Sequence, residues 1–158
     1  AKISGCKNII AIDIHENRLE MARELGATHV INSQKQDVVK EIQLITNGGT
    51  HYAVETTGVP SIVNQSIEAS RMRGKIASVA VTPQLELNFP ALSVGKTLMG
   101  VLEGNAVPQL FIPQLIDYYK KGLFPFDRLV KFYRFEEINQ AFEDSKNGET
   151  IKPIVRME

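Results

Sequence analysis

The strongest constraint in this chain is a rhythm. From Asn8 to Val81, short apolar runs alternate with helical segments, and the connections between them span only two to six residues. Asn8–Asp13 is an apolar run closing on one acidic residue, as suits a strand buried on both faces. Glu16–Leu25 follows as a helix with Leu19, Ala22 and Leu25 on one face and Gly26 as a stop. Thr28–Ile31 is a second strand. Asp37–Thr46 is a helix with Val38, Ile42 and Ile45 on one face, ended by a C-cap turn at Asn47-Gly48-Gly49. Tyr52–Glu55 is a third strand, Ser61–Ser70 a helix carrying Ile62, Val63 and Ile67, and Gly74–Val81 a fourth strand. Such alternation on short connections predicts a doubly wound parallel α/β sheet with right-handed crossovers.

After Val81 the rhythm changes. Thr82-Pro83 and Phe89-Pro90 bracket a loop, and Lys96–Leu102 reads as a strand. Pro108–Lys121 is a long helix with Leu110, Ile112, Leu115, Tyr118 and Tyr119 along its apolar stripe. Arg128–Tyr133 reads as a strand, Glu136–Lys146 as a helix, and Ile151–Arg156 as a closing strand. No internal repeat and no linker composition divides the 158 residues, so one domain over 1–158 is expected.

Composition removes several classes of function. Lys+Arg and Asp+Glu both number 18, so the basic excess of a dedicated nucleic-acid binder is missing. The single cysteine, Cys6, rules out an internal disulfide framework and a Cys-rich structural zinc site. His15, His29 and His51 stand on three different elements without metal-ligand spacing. No apolar run has the roughly 18 residues of a membrane span, and the first residues are no secretory signal. A cytoplasmic protein is expected.

Few residues carry a chemical signal. Asp13 closes the first strand, where dinucleotide-binding folds place an acidic residue on the adenosine ribose hydroxyls, although an Asp there also serves as a helix cap. Arg18, five residues on, reaches the same strand edge, or is an ordinary solvated helix arginine. The glycine-rich phosphate loop of such folds belongs about 20 residues before the acidic residue, which falls ahead of residue 1. Glu55-Thr56-Thr57-Gly58-Val59-Pro60 closes the third strand, at the end where open α/β sheets bind ligands, and reads equally as a plain strand-to-helix turn.

Several runs together resemble a known family. IIAIDIHENRLEMARELGATHVINS, VETTG and RGKIASVAV are similar to the cofactor domain of zinc-containing medium-chain alcohol dehydrogenases. FEEINQAFEDSKNGETIKPIVRM resembles that family's C-terminus, and GVLEGNAVPQLFIPQLIDYYKKGLFPFDRLVKFY is most similar to its aryl-alcohol (benzyl alcohol) branch. The resemblance implies a Rossmann-type sheet whose first strand and Gly-rich loop lie before this chain, with NAD as cofactor. It implies that Asp13 holds the adenosine ribose, with Arg18 near it, and that Thr56 and Thr57 pack by the adenine and nicotinamide ribose. Val79 and Val81 would flank the nicotinamide, Val101 would meet its carboxamide, and Lys152 would meet the pyrophosphate. Glu103 departs from the pattern, since many members carry an apolar residue there.

The expected function is therefore the cofactor-binding part of a zinc-dependent alcohol dehydrogenase. The parent would transfer hydride between a primary, aryl alcohol and NAD, with alcohol or aldehyde as its small-molecule partner. Zinc would be held by an N-terminal domain outside this chain. The 158 residues alone would be inactive, with no catalytic or metal residue among them. A homodimer or higher homo-oligomer is expected, paired through the edge strand at Lys96–Leu102, with neither nucleic acid nor membrane as partner. The alternatives are a non-catalytic nucleotide-binding or structural fragment, and a zinc-independent reductase of the same superfamily.

Overall fold

The computed structural model describes residues 1–157. Its strands are β1 (Ile10–Asp13), β2 (His29–Asn32), β3 (Thr50–Glu55), β4 (Ser70–Ser78), β5 (Thr97–Gly100), β6 (Val130–Arg134) and β7 (Lys152–Arg156). Its helices are α1 (Glu16–Glu24), α2 (Val38–Thr46), α3 (Pro60–Ala69), α4 (Phe89–Leu92), α5 (Pro108–Lys120) and α6 (Ile138–Lys146). Every ladder is parallel, as the alternation requires: β1 with β2, β3 with β4, β4 with β5, and β6 with β7. The α/β class holds throughout.

The ladders do not form one continuous sheet. They make two pairs, β1-β2 and β6-β7, and one triplet, β3-β4-β5. A sheet continues only where neighbouring edges exchange N–H···O bonds, and β1 and β3 each keep one edge without a ladder partner among the described residues. The chain also groups into two compact units, Ala1–Asn32 with Val107–Glu158, and Ser33–Ala106. Neither passage between them carries linker composition.

The Ser33–Ala106 unit is a β3-β4-β5 sheet with a core of Val63, Ile67 and Ile76, against which Ala53, Leu85, Ala91, Leu92 and Leu98 pack. Asp37 caps α2 by accepting from the Lys40 N–H at 3.1 Å, and Asn47 ends it in the left-handed region. Pro60 opens α3, where its missing N–H costs nothing. β4 begins at Ser70 rather than Gly74, because Thr50 pairs with Ser70 before the register shifts to Tyr52 with Lys75. Periodicity cannot show such a bulge. The short helix α4 falls in the expected loop, capped by the Asn88 side chain.

In the other unit Leu19, Ile31, Tyr133 and Ala141 are buried. The apolar stripe on α5 is not buried as its pattern suggested: Leu110 and Ile112 are exposed, and Ile112, Leu115, Ile116 and Tyr119 line a groove with Phe124 and Phe126. The same unit holds a polar cluster. Asp144, on α6 and 4% exposed, accepts from the Tyr133 hydroxyl at 2.6 Å, Gln140 Nε2 at 2.5 Å and Lys131 Nζ at 3.0 Å. These donors, Tyr133 foremost, then Gln140 and Lys131, lower its pKa from the ordinary 3.8 to about 2.

A carboxyl with a depressed folded-state pKa stabilises the fold above its unfolded value and loses that contribution as pH falls through the folded one. Asp144→Asn will therefore be less stable than the wild type at neutral pH, and the gap will close as pH drops from about 4 toward about 2. Urea unfolding of both proteins across that range measures it. A gap independent of pH would remove the carboxylate from this account.

Candidate functional site

Parallel register decides what stands at the carboxyl edge of the β3-β4-β5 sheet. Glu55 pairs with Ser78, and Ser78 pairs with Gly100, so the three strands end level. The ladder then runs one step further: Val79 N–H donates to Glu55 O at 2.9 Å and Val101 N–H to Ser78 O at 2.9 Å. The segments that leave this edge carry Thr56 and Thr57, Val79 and Val81, and Val101. The register thus brings five of the expected cofactor residues to one edge.

The turn after β3 is organised by Glu55, which the sequence places in the Glu55–Pro60 segment without a role of its own. Glu55 is 4% exposed, and its Oε1 accepts from the Thr57 N–H at 2.6 Å and the Thr57 hydroxyl at 2.5 Å. The Gly58 N–H reaches both carboxylate oxygens at 3.2 Å. Thr57 Oγ1 in turn accepts from Val59 N–H at 3.1 Å. Thr56 and Thr57 are both exposed, but the Thr57 hydroxyl is spent inside the turn. The available signal was the one that marked Asp13: an acidic residue closing an apolar run just before small residues.

Gly58 has φ +70°, and a Cβ on it would lie 2.5 Å from the Val81 carbonyl oxygen. The close approach welds the Glu55 turn to the Val79–Val81 segment. Val79 and Val81 are exposed, Val81 at 92%.

In the other unit, Asp13 ends β1 and pairs with Asn32. Its Oδ1 accepts from the N–H groups of Ile14 at 2.8 Å and His15 at 2.9 Å. Among the described residues its Oδ2 meets only the Arg18 guanidinium, at a long 3.9 Å. Arg18 Nη2 also donates to the Ser145 carbonyl at 3.5 Å, while its Nε is buried without a hydrogen-bond partner. Asp13 and Arg18 are thus brought together, as expected. Asn32 Nδ2 donates to Glu16 Oε1 at 2.7 Å and to Ile14 O at 3.4 Å, which holds the loop between β1 and α1. Lys152 opens β7 opposite Val130 and is exposed.

One observation fits a nucleotide here: Asp13 Oδ2, which accepts no hydrogen bond among the described residues, suits a ribose diol. For a metal the inventory does not fit. Among the described residues no group of three or more His, Cys, Asp or Glu could hold an ion. His15 lies against Gly148, His29 bonds Thr28 and His51 bonds Arg71.

Comparison with known proteins gives a consistent pattern. The family model described as zinc-binding dehydrogenase matches residues 1–120. The structure superimposes on benzyl alcohol dehydrogenase from Acinetobacter calcoaceticus with a TM-score of 0.96 and 49% identity, covering 100% of this chain and 45% of that one. An alcohol dehydrogenase zinc-binding domain protein from Burkholderia ambifaria gives 0.95 and 49%, covering 100% and 44%. Geraniol dehydrogenase from Castellaniella defragrans is 35% identical over 161 residues, covering 98% of this chain and 43% of its own. The chain spans less than half the length of these relatives.

Gly58→Ala is expected to lose about 1–3 kcal/mol of stability, since alanine is strained at this φ and its methyl meets the Val81 carbonyl. Chemical denaturation of the two proteins tests this. An unchanged midpoint would mean that the turn and the Val79–Val81 segment are not in contact.

Proposed function

Since this chain belongs to the zinc-binding dehydrogenase family, we propose that it is the NAD-binding part of an alcohol dehydrogenase, spanning 1–158. The parent reaction is the interconversion of a primary, aryl alcohol and its aldehyde, a substrate class supported by the 49% identity to benzyl alcohol dehydrogenase. NAD, when bound, supplies the hydride acceptor; zinc belongs to a part of the parent outside these residues. The cytoplasm suits a chain with one cysteine in which, among the described residues, no helix is long and apolar enough to cross a membrane.

The work of this chain is binding and orientation. Asp13 accepts from the ribose hydroxyls, with Arg18 balancing its charge. Thr56, Thr57, Val79, Val81 and Val101 offer a level edge of backbone and apolar groups to the nicotinamide side, and Lys152 offers its ammonium to the pyrophosphate. No residue here moves a proton or holds the metal.

The observation that carries this reading is Asp13, at the carboxyl end of a parallel strand, with one carboxylate oxygen that accepts no hydrogen bond among the described residues. A carboxylate there accepts from two ribose hydroxyls and repels a 2′-phosphate. Steady-state kinetics on the intact protein will show higher kcat/KM with NAD than with NADP, and Asp13→Ala will shrink the ratio by about tenfold, the equivalent of roughly 1.4 kcal/mol. Equal or greater efficiency with NADP in the unmutated protein would refute the assignment.

The same reading includes self-association through β5, whose outer edge has no ladder partner among the described residues. Val101 N–H points inward to Ser78. Alternation therefore turns the N–H of Gly100 outward. Sedimentation of the intact protein will show at least a dimer, and Gly100→Pro, which deletes an outward donor, will shift it toward monomer. A wild type that stays monomeric at micromolar concentration overturns the dimer.

A further inference from the structure

Lys152 is an exposed lysine at the first position of a five-residue strand, and little in the strand itself fixes it. Among the described residues β7 pairs only with β6, and an isolated parallel pair is weak. Its second residue, Pro153, has no N–H to give to the ladder. A slip of one residue would turn Lys152 to the opposite face. Something other than the β6-β7 ladder has to set where β7 starts.

The buried cluster beneath α6 does this. Thr150, two residues before Lys152, is 3% exposed. Its N–H donates to the Asp144 carbonyl at 3.1 Å, and its hydroxyl shares a 2.6 Å hydrogen bond with the Tyr133 hydroxyl. Tyr133 also donates to the Asp144 carboxylate and lies opposite Val155 in the ladder. One buried phenol on β6 therefore ties α6 to Thr150, two residues ahead of β7. The turn ahead of Thr150 is pinned from its other side. Asn17 Nδ2 donates to Gly148 O at 2.6 Å, and Gly148, at φ +80°, sits so close to His15 that a Cβ would lie 2.9 Å from Nδ1. A buried carboxylate hub costs desolvation that apolar packing would not, and what it adds is one defined geometry.

We propose that the Tyr133–Asp144–Thr150 cluster is a positioning device that holds Lys152 on the face where it meets the cofactor pyrophosphate. The proposal rests on the dehydrogenase reading above. Tyr133, Asp144 and Thr150 touch no ligand and act through β7.

A double-mutant cycle on the intact protein tests it, with ADP-ribose titrated calorimetrically and adenosine, which lacks the pyrophosphate, as control. Lys152→Ala will weaken ADP-ribose about tenfold, in the range of one charge-assisted hydrogen bond. Tyr133→Phe will weaken it several-fold in the wild-type background and not at all in the Lys152→Ala background, with adenosine unchanged in both. Thr150→Val cuts the same link without removing a donor to Asp144, and it will behave alike. A Tyr133→Phe effect that persists without Lys152, or that extends to adenosine, marks general loosening of the fold and overturns the proposal, as does no effect. Loss in Lys152→Ala alone, with Tyr133→Phe and Thr150→Val silent, overturns the positioning role and leaves the reading of Lys152 standing. No loss in Lys152→Ala overturns that reading and the proposal with it.

Discussion

A parallel strand pair cannot be closed by a tight turn, and every strand pair among the described residues is parallel. Each return must cross the sheet, and where the crossing is a helix, its apolar face is buried against the strands. Loops that leave the carboxyl ends of level strands are then neighbours however far apart they lie in sequence. That is how Thr56, Val79 and Val101 share an edge. The level endings of β3, β4 and β5 are the geometric fact from which the nicotinamide side of the proposed site follows.

Each unit also contains a buried carboxylate used as a hub, Glu55 in one and Asp144 in the other. A buried carboxylate is stable only when donors surround it. For Glu55 the donors come from the turn that follows it, so the carboxylate shapes local chain. For Asp144 they come from Tyr133, Lys131 and Gln140, so it joins elements distant in sequence. The first makes a rigid edge; the second fixes where a strand begins.

The alternation of elements is legible in the sequence because hydrophobic periodicity reports burial, and the helices with buried faces were placed within a few residues. Asp13 is legible because a single acid ends an apolar run. Glu55 obeys the same rule but was overshadowed by the threonines beside it. Asp144 carries no such mark: within Phe142-Glu143-Asp144-Ser145 it looks like one more solvated helix residue, and only the fold brings Tyr133 against it. The stripe on α5 misled in the opposite sense, since an apolar pattern says that a face seeks cover without saying that these residues supply it. The early start of β4 escaped because a bulge breaks the period that identifies a strand.

What each unit, taken by itself, can offer a ligand follows from which of its groups remain uncommitted. At the β3-β4-β5 edge the Thr57 hydroxyl both donates to Glu55 and accepts from Val59, so it has little left for a ligand. The neighbouring side chains, Val79, Val81 and Val101, are apolar. Recognition at that edge falls to main-chain N–H and C=O groups and to Thr56, and main-chain groups depend on conformation rather than residue identity. The turn therefore has to be stiff, which is what the Glu55 carboxylate and the absent side chain of Gly58 provide. A ribose diol sets a different requirement, because two hydroxyl donors need an acceptor. Asp13 meets it by spending Oδ1 on its own turn, while Oδ2 has only the long 3.9 Å pairing with Arg18 among the described residues. For that reason the identity of a side chain matters most at Asp13, while across the other edge shape matters more than chemistry.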